Sequence, residues 1–270
     1  MSSFLFLYLL TGALAGLSAG LFGVGGGLII VPVLYYVFSA QAYETAVLMH
    51  MALATSLASI VFTSISSSYA HHKKQAVLWP IVFTLTPGIL LGAWLGGLAA
   101  SSLESDSLKP VFAVFECLVA LIMLLNIKTR AQHTTLSRLN ALTGGLFIGT
   151  LSAIVGIGGG SLTVPYLNWH NIPIKKAIAS SAACGFPIAL AATASYIYSG
   201  WEVPIRSLNN INENTLHLGY VNLTALTLIV CSSFIFAPLG AKLAHYLPDK
   251  NLKRYFGLFL LFLSAKMLFA

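Results

Sequence analysis

Apolar residues gather into eight segments, at 4–37, 45–69, 78–100, 110–127, 139–169, 174–198, 216–245 and 253–269, with short polar connections between them. A helix needs about 20 such residues to cross hydrocarbon, and most of the segments supply that number. The first and fifth are too long for a single crossing. Both contain a glycine run: Gly23-Val24-Gly25-Gly26-Gly27 in the first and Gly156-Ile157-Gly158-Gly159-Gly160 in the fifth. A proline follows each run at the same distance (Pro32 and Pro165), so the two copies keep a constant offset of 133 residues. Consecutive glycines disfavour helix and strand alike, because the unfolded backbone has so much freedom to lose. Each long segment is therefore predicted to break at its glycines, with half-helices resuming near Leu28 and Ser161. A helix broken inside a bilayer leaves N–H and C=O groups that only protein or a polar cavity can satisfy. Paired breaks in the two halves of a chain point to a transporter's binding site.

The segments fall into two sets of four. Thr11-Gly12 recurs as Thr143-Gly144, and Ala54-Thr55-Ser56 as Ala179-Ser180-Ser181. Leu91-Gly92-Ala93 recurs as Leu239-Gly240-Ala241, and Leu108-Lys109 as Leu252-Lys253. Taken in one order, these matches predict a tandem repeat of about 125 residues. We place the halves at 1–130 and 131–270, within one integral membrane domain. Residues 4–22 could pass for a signal peptide ending at Ala13-Leu14-Ala15. No Lys or Arg precedes them, however, and the segment has an internal copy starting near Thr143, so it is read as retained. The polar stretch 200–217, with Asn209-Asn210-Ile211-Asn212-Glu213-Asn214, is read as an external loop.

Composition fixes the class. The chain is 57% hydrophobic and 8% charged, with a mean hydropathy of +0.86. Soluble domains carry about 25% charged residues, so this is an all-α polytopic membrane protein. The net charge of +7 would fit nucleic acid, but no basic run is interleaved with aromatics in a polar context. Counting cations by side decides the topology. If every segment crossed once, the loops would show no positive-inside bias. If the first and fifth are re-entrant hairpins, one side collects Lys73, Lys74, Lys128, Arg130, Arg138, Lys175, Lys176, Lys250, Lys253 and Arg254. The other keeps Lys109 and Arg206, with Glu44, Glu104, Asp106, Glu202 and Glu213. Ten against two is the kind of bias that orients membrane proteins. Each half then makes an odd number of crossings, which inverts the second repeat and leaves both termini external.

Two copies of Gly-x-Gly-Gly-Gly-(x)4-Pro in an eight-segment chain resemble the sulfite exporter TauE/SafE family, also called toluene-sulfonate uptake permeases. The resemblance runs from about Leu10 to Met267. It rests on Gly23, Gly25, Gly26, Gly27 and Pro32, on Gly156, Gly158, Gly159, Gly160 and Pro165, and on the Ala-Thr/Ser-Ser patterns downstream. It implies transport of small, often sulfur-containing anions across a prokaryotic cytoplasmic membrane.

The glycines themselves are the first candidates for contact with substrate. Successive glycines at positive φ can turn their N–H groups into one concavity, and a half-helix adds its positive end. Two such ends could hold a sulfonate or carboxylate without a buried lysine; alternatively, the glycines only allow close packing. Thr55, Ser56, Ser180 and Ser181 could donate to anion oxygens or bond back to their own helix. Ser161 could cap its half-helix or face ligand. Glu116 and His50, within spans, are the candidates for ion coupling; alternatively, Glu116 is a neutral, hydrogen-bonded structural carboxyl and His50 a satisfied packing histidine. Lys242 and Lys266 are expected to snorkel to an interface, and Trp94 to pack.

Cys117, Cys184 and Cys231 form no metal or redox spacing and read as packing residues. His71-His72-Lys73-Lys74 reads as an interfacial cluster. No motif for ATP, a dinucleotide, a cofactor or a catalytic nucleophile is found. The expected partners are a small anion, the lipid bilayer and a coupling ion, either proton or sodium; the oligomeric state stays open. The function read is a secondary transporter working by alternating access, the alternative an anion channel.

Overall fold

The breaks fall where the glycines are. The computed structural model describes residues 2–125, 137–205, 216–246 and 249–269. The expectations for Lys128, Arg130, Arg206, Glu213, the 209–214 asparagine cluster and the 130/131 repeat boundary lie outside them.

In chain order the helices are α1 (Ser2–Phe22), α2 (Gly27–Ala40), α3 (Thr45–Lys73), α4 (Trp79–Ser101), α5 (Ser105–Leu124), α6 (Arg138–Val155), α7 (Gly160–Trp169) and α8 (Ile174–Gly200). A two-stranded antiparallel ribbon, β1 (His217–Leu218) and β2 (Val221–Asn222), precedes α9 (Leu223–Tyr246) and α10 (Asp249–Phe269). Among the described residues, seven helices are long and apolar enough to cross a membrane.

The half-helices α2 and α7, of 14 and 10 residues, are not. At 1.5 Å per residue they reach only about 21 and 15 Å, against about 30 Å of hydrocarbon. Both turn back on the helix before them. The Tyr8 hydroxyl near the start of α1 donates to Gln41 Oε1 just past the end of α2 (3.4 Å). Likewise the Tyr166 hydroxyl on α7 donates to the Asn140 carbonyl near the start of α6 (2.6 Å).

Around these hairpins the long helices pack in pairs: α1 along α9, α4 along α6, and α5 along α10, with α3 and α8 in the centre. The last two are buried along most of their length, whereas α5 and α9 are mainly exposed. Lipid-exposed Leu, Phe and Ile side chains cover the outside. That leaves close backbone approach, rather than a hydrophobic effect, to hold the helices together.

The α1/α9 and α4/α6 seams use one device. Gly12, Gly16 and Gly20, four residues apart, present a bare backbone to Ile229, Ser233 and Ala237 of α9. Gly88, Gly92 and Gly96 do the same against Leu142, Leu146 and Thr150 of α6. The Thr150 hydroxyl also donates across that seam to the Gly92 carbonyl (3.2 Å). This spacing is visible in the chain as small-x-x-x-small but escapes a hydropathy reading, because glycine is neutral to it.

Four element ends differ from the apolar segments. α3 runs on to Lys73, and α5 and α10 begin early, at Ser105 and Asp249, because helices continue into the polar interface where hydropathy has already fallen. α9 begins at Leu223 because 217–222 forms the ribbon. Trp94, expected to pack, does so only in part: it is 37% exposed, with its ring centroid 6.1 Å from that of Tyr198.

The seams make a stability prediction. A β-carbon on Gly92 would fall on the Leu146 backbone, so Gly92→Ala should cost the upper end of the ~1–3 kcal/mol typical of overpacking. At Gly257 the nearest neighbour is the Leu124 side chain at 3.0 Å, so Gly257→Ala should cost much less. Thermal unfolding of the two variants in detergent checks the order.

Candidate functional site

Five break glycines sit in the left-handed region: Gly23 (φ 70°), Gly25 (80°), Gly26 (82°), Gly156 (71°) and Gly159 (76°). An L residue there costs about 1–2 kcal/mol before any clash is counted. Gly26 and Gly159 then open the half-helices with their carbonyls. Gly26 accepts from Ile29 and Ile30 (3.0 and 3.1 Å), and Gly159 from Leu162 and Thr163 (3.0 and 2.7 Å). Neither helix has a side-chain cap, so each N-terminus keeps its positive end undiluted.

The two breaks meet. A β-carbon on Gly25 would lie 2.8 Å from the Gly158 Cα, while Gly27 rests on the Gly156 carbonyl and Gly160 on the Gly23 carbonyl. Each break is also held by a helix of the other half. The Ser56 hydroxyl on α3 donates to the Gly156 carbonyl (2.9 Å). The Ser181 hydroxyl on α8 donates to the Gly23 carbonyl (3.4 Å), sharing its proton with Ile178 O (2.9 Å). Thr55 and Ser180, one residue earlier, accept backbone N–H groups: Thr55 from Asn222 before α9 and Ser180 from Leu78 before α4, both at 3.0 Å.

Of the four hydroxyls expected to meet an anion, Ser56 and Ser181 thus face the breaks and Thr55 and Ser180 face the starts of α9 and α4. In this conformation Ser56 and Ser181 spend their protons on break carbonyls, whereas Thr55 and Ser180 still have one to give.

Between the tips lies a cavity of about 10 Å³ lined by Gly23, Gly25, Gly158, Gly185, Ser64 and Ser67. That is room for about one water, so an oxyanion enters only if the tips part. Of the nearby hydroxyls without partners, Ser67 lines this cavity. The buried oxygens of Ser67, Ser152, Ser161 and Thr163 have no hydrogen-bond partner. A β-carbon on Gly159 would stand 3.3 Å from Thr163 Oγ1 and 3.4 Å from Ser152 Oγ. Leaving a buried hydroxyl unpaired costs about 1–3 kcal/mol.

Of these, only Ser161 is a candidate from the sequence; Thr163 falls at a variable position of the glycine motif, and Ser152 and Ser67 belong to no repeated motif. Their signal was proximity, one helical turn from a glycine run or from Thr63-Ser64.

Glu116 and His50 stand apart from the breaks. Glu116 lies on α5, near Tyr36 of α2. His50 is buried on α3, its Nε2 bonded to the Leu103 carbonyl (3.0 Å) and its ring stacked on Tyr220 (5.0 Å). A carbonyl only accepts, so that nitrogen carries the proton.

Above Thr55 the ribbon forms a fastened cap. Asn222, 3% exposed, donates its backbone N–H to Thr55 and its side-chain N–H to the Tyr43 hydroxyl (3.4 Å), while its Oδ1 accepts from the Ala225 N–H (2.9 Å). His217 Nε2 lies 3.4 Å from the same Tyr43 hydroxyl. Leu78, in the equivalent place beside Ser180, brings no polar side chain. Asn222 was legible as a helix N-cap residue, but the apolar segment was drawn through it.

Two glycine-broken helical hairpins, meeting tip to tip among long apolar helices, define an all-helical polytopic membrane protein. The chain belongs to the sulfite exporter TauE/SafE family, whose sequence model matches residues 8–267. A probable membrane transporter protein of Haemophilus influenzae is 40% identical over 99% of both chains. The probable membrane transporter protein YunE of Bacillus subtilis is 30% identical over 73% of this chain and 80% of its own. The probable membrane transporter protein MJ0441 of Methanocaldococcus jannaschii is 25% identical over 92% and 89%. No solved structure matches the chain.

The cap carries a pH prediction. Burial pushes the His217 imidazole down from 6.5 to about 4, so the closed ribbon holds it neutral. Its contribution to cap stability is complete above the unfolded value of about 6.5 and is lost as pH falls toward about 4. Amide exchange across residues 217–222 should therefore accelerate through that window, beyond the intrinsic pH trend. The excess should vanish in His217→Phe, and an equal excess in both proteins would contradict it.

Proposed function

We propose that this protein is a secondary transporter for small oxyanions: sulfite, thiosulfate, sulfonates or related organic acids. It carries them across a prokaryotic cytoplasmic membrane by alternating access. The observation that carries the reading is the meeting of two left-handed glycine breaks, each opening an uncapped half-helix, beside partnerless hydroxyls. Backbone N–H groups and two positive helix ends suit an anion of modest size, bound without a lysine. The family name and the transporter names of the relatives point the same way.

An inverted repeat of residues 1–130 and 131–270 supplies the motion. Its support is an exchange of partners. Pairing α1 with α6, α3 with α8, α4 with α9 and α5 with α10, the α1/α9 contact becomes α6/α4, and α3/α9 becomes α8/α4. The α3/α8 and α5/α10 contacts map onto themselves. Inverted repeats of this kind put the site at their interface near the bilayer midplane and rock one half against the other. With ten cations on the side of Lys73 and Lys175, that side is cytoplasmic and both termini are external. An anion channel would need a continuous path, and the constriction between the tips admits about one water.

Reconstituted protein should exchange labelled sulfite, thiosulfate or a short sulfonate by saturable counterflow. Gly26→Val and Gly159→Val should fall below about a tenth of the wild-type rate, as left-handed strain of ~1–2 kcal/mol adds to contact with Ala15 or Ile188. Both should still elute as folded protein. Full-rate exchange by both variants would remove the breaks from the transport path.

A further inference from the structure

Glu116 is the acidic side chain that the glycine site leaves unused. It sits in the middle of α5, 0% exposed, and neither carboxyl oxygen has a hydrogen-bond partner. The other described acids stand at helix ends or in connections. A polar group buried without a partner costs several kcal/mol relative to water, and an ionisable one inside a membrane is a functional-site hypothesis by default.

What surrounds it is informative. From α2 comes Tyr36, whose hydroxyl is also buried without a partner and which lies within electrostatic reach of Glu116. From α10 comes Lys266, its Nζ 4.6 Å from the Tyr36 ring centroid, so it packs on that ring rather than only reaching for the interface. Ser264 of α10 spends its proton on the Ala113 carbonyl (3.0 Å). Lys109, on α5 itself, sits over Tyr35 at 5.3 Å. From α3 the titratable group is His50, already engaged by Leu103 and Tyr220. From α6 no charged or titratable side chain is found against it among the described residues.

A carboxyl and a hydroxyl, both buried without partners, thus lie within electrostatic reach of each other, and an ammonium packs on the ring that carries the hydroxyl.

We propose that Glu116 is the proton-loading site of the transporter and that Tyr36 passes its state to the first glycine hairpin. In the conformation described, the carboxyl is the neutral acid and needs no charge partner. When its O–H bond breaks, the electron pair stays on the carboxylate and the proton leaves to water on the side then open. The carboxylate takes a hydrogen bond from the Tyr36 hydroxyl and draws in the Lys266 ammonium. Tyr36 rides on α2, so this closure moves the half-helix that begins at Gly27, and with it the tip that meets Gly158. Opening of the anion site thereby follows the proton. Only one half carries the device: in the Lys109/Lys253 register, the position of Glu116 is taken by Leu260.

This inference rests on the anion-transport reading, so the first arm of its test does without an anion. Infrared spectra of the detergent-solubilised protein, titrated with pH, should show a protonated-carboxyl C=O stretch that is lost on alkalinisation. Glu116→Gln should lack that band, and in Tyr36→Phe its titration should shift. In liposomes, Glu116→Gln should separate two modes, with sulfite counterflow persisting while accumulation driven by a pH gradient is lost. A wild-type spectrum with no titrating band assignable to Glu116 would overturn the proposal. So would Glu116→Gln accumulating sulfite against a gradient as the wild type does. If the wild type moves no sulfite, the anion reading falls, and the infrared titration still decides whether Glu116 exchanges its proton.

Discussion

Everything in this molecule depends on satisfying a few backbone groups that two broken helices leave inside a membrane. The Gly156 and Gly23 carbonyls have no place in an uninterrupted helix, and hydrocarbon would charge several kcal/mol for each left bare. The solution is reciprocal. Ser56 of the first half serves the second break and Ser181 of the second half serves the first, while each tip packs its glycines against the other's backbone. Neither hairpin is tenable alone. The small-residue seams of α1/α9 and α4/α6 then bring the flanking helices close enough for the tips to touch.

On the alternating-access reading proposed above, that reciprocity would also let the two tips part. Contacts that are bare backbone against bare backbone hold by geometry, with few side chains to rearrange when they part. Serine hydroxyls that donate to a carbonyl in one arrangement can donate to an oxyanion in another at little net cost, because a hydrogen bond is exchanged rather than lost. The halves differ where direction is needed. Asn222, Tyr43 and His217 fasten a polar cap beside Thr55, where Ser180 has only Leu78; Glu116 stands on α5 where α10 has Leu260. A frame that repeats, with chemistry that does not, can give two access states distinct energies.

Much of this was legible in the chain. Two overlong apolar segments, each with a glycine run, foretold the breaks, and the half-helices begin within one residue of Leu28 and Ser161. Each broken segment also turns back on itself, as the Tyr8–Gln41 and Tyr166–Asn140 bonds show. What was hidden had physical reasons. Gly12, Gly16 and Gly20 carry no hydropathic weight, so their seam with α9 left no trace in an apolar profile. Ser152 and Thr163 are ordinary residues until the fold strips them of partners. Thr55 and Ser56 were marked as one pair, yet they face opposite duties, because neighbours on a helix point about 100° apart.

The most direct test is to see where an oxyanion rests. Crystals grown with selenate, whose selenium gives an anomalous signal, would mark the anion independently of any interpretation of the density. The account predicts one selenium peak between the two tips, with its oxygens within about 3 Å of backbone N–H groups from both glycine runs. A peak elsewhere, with either segment running straight through the bilayer and its glycines against lipid, would contradict it.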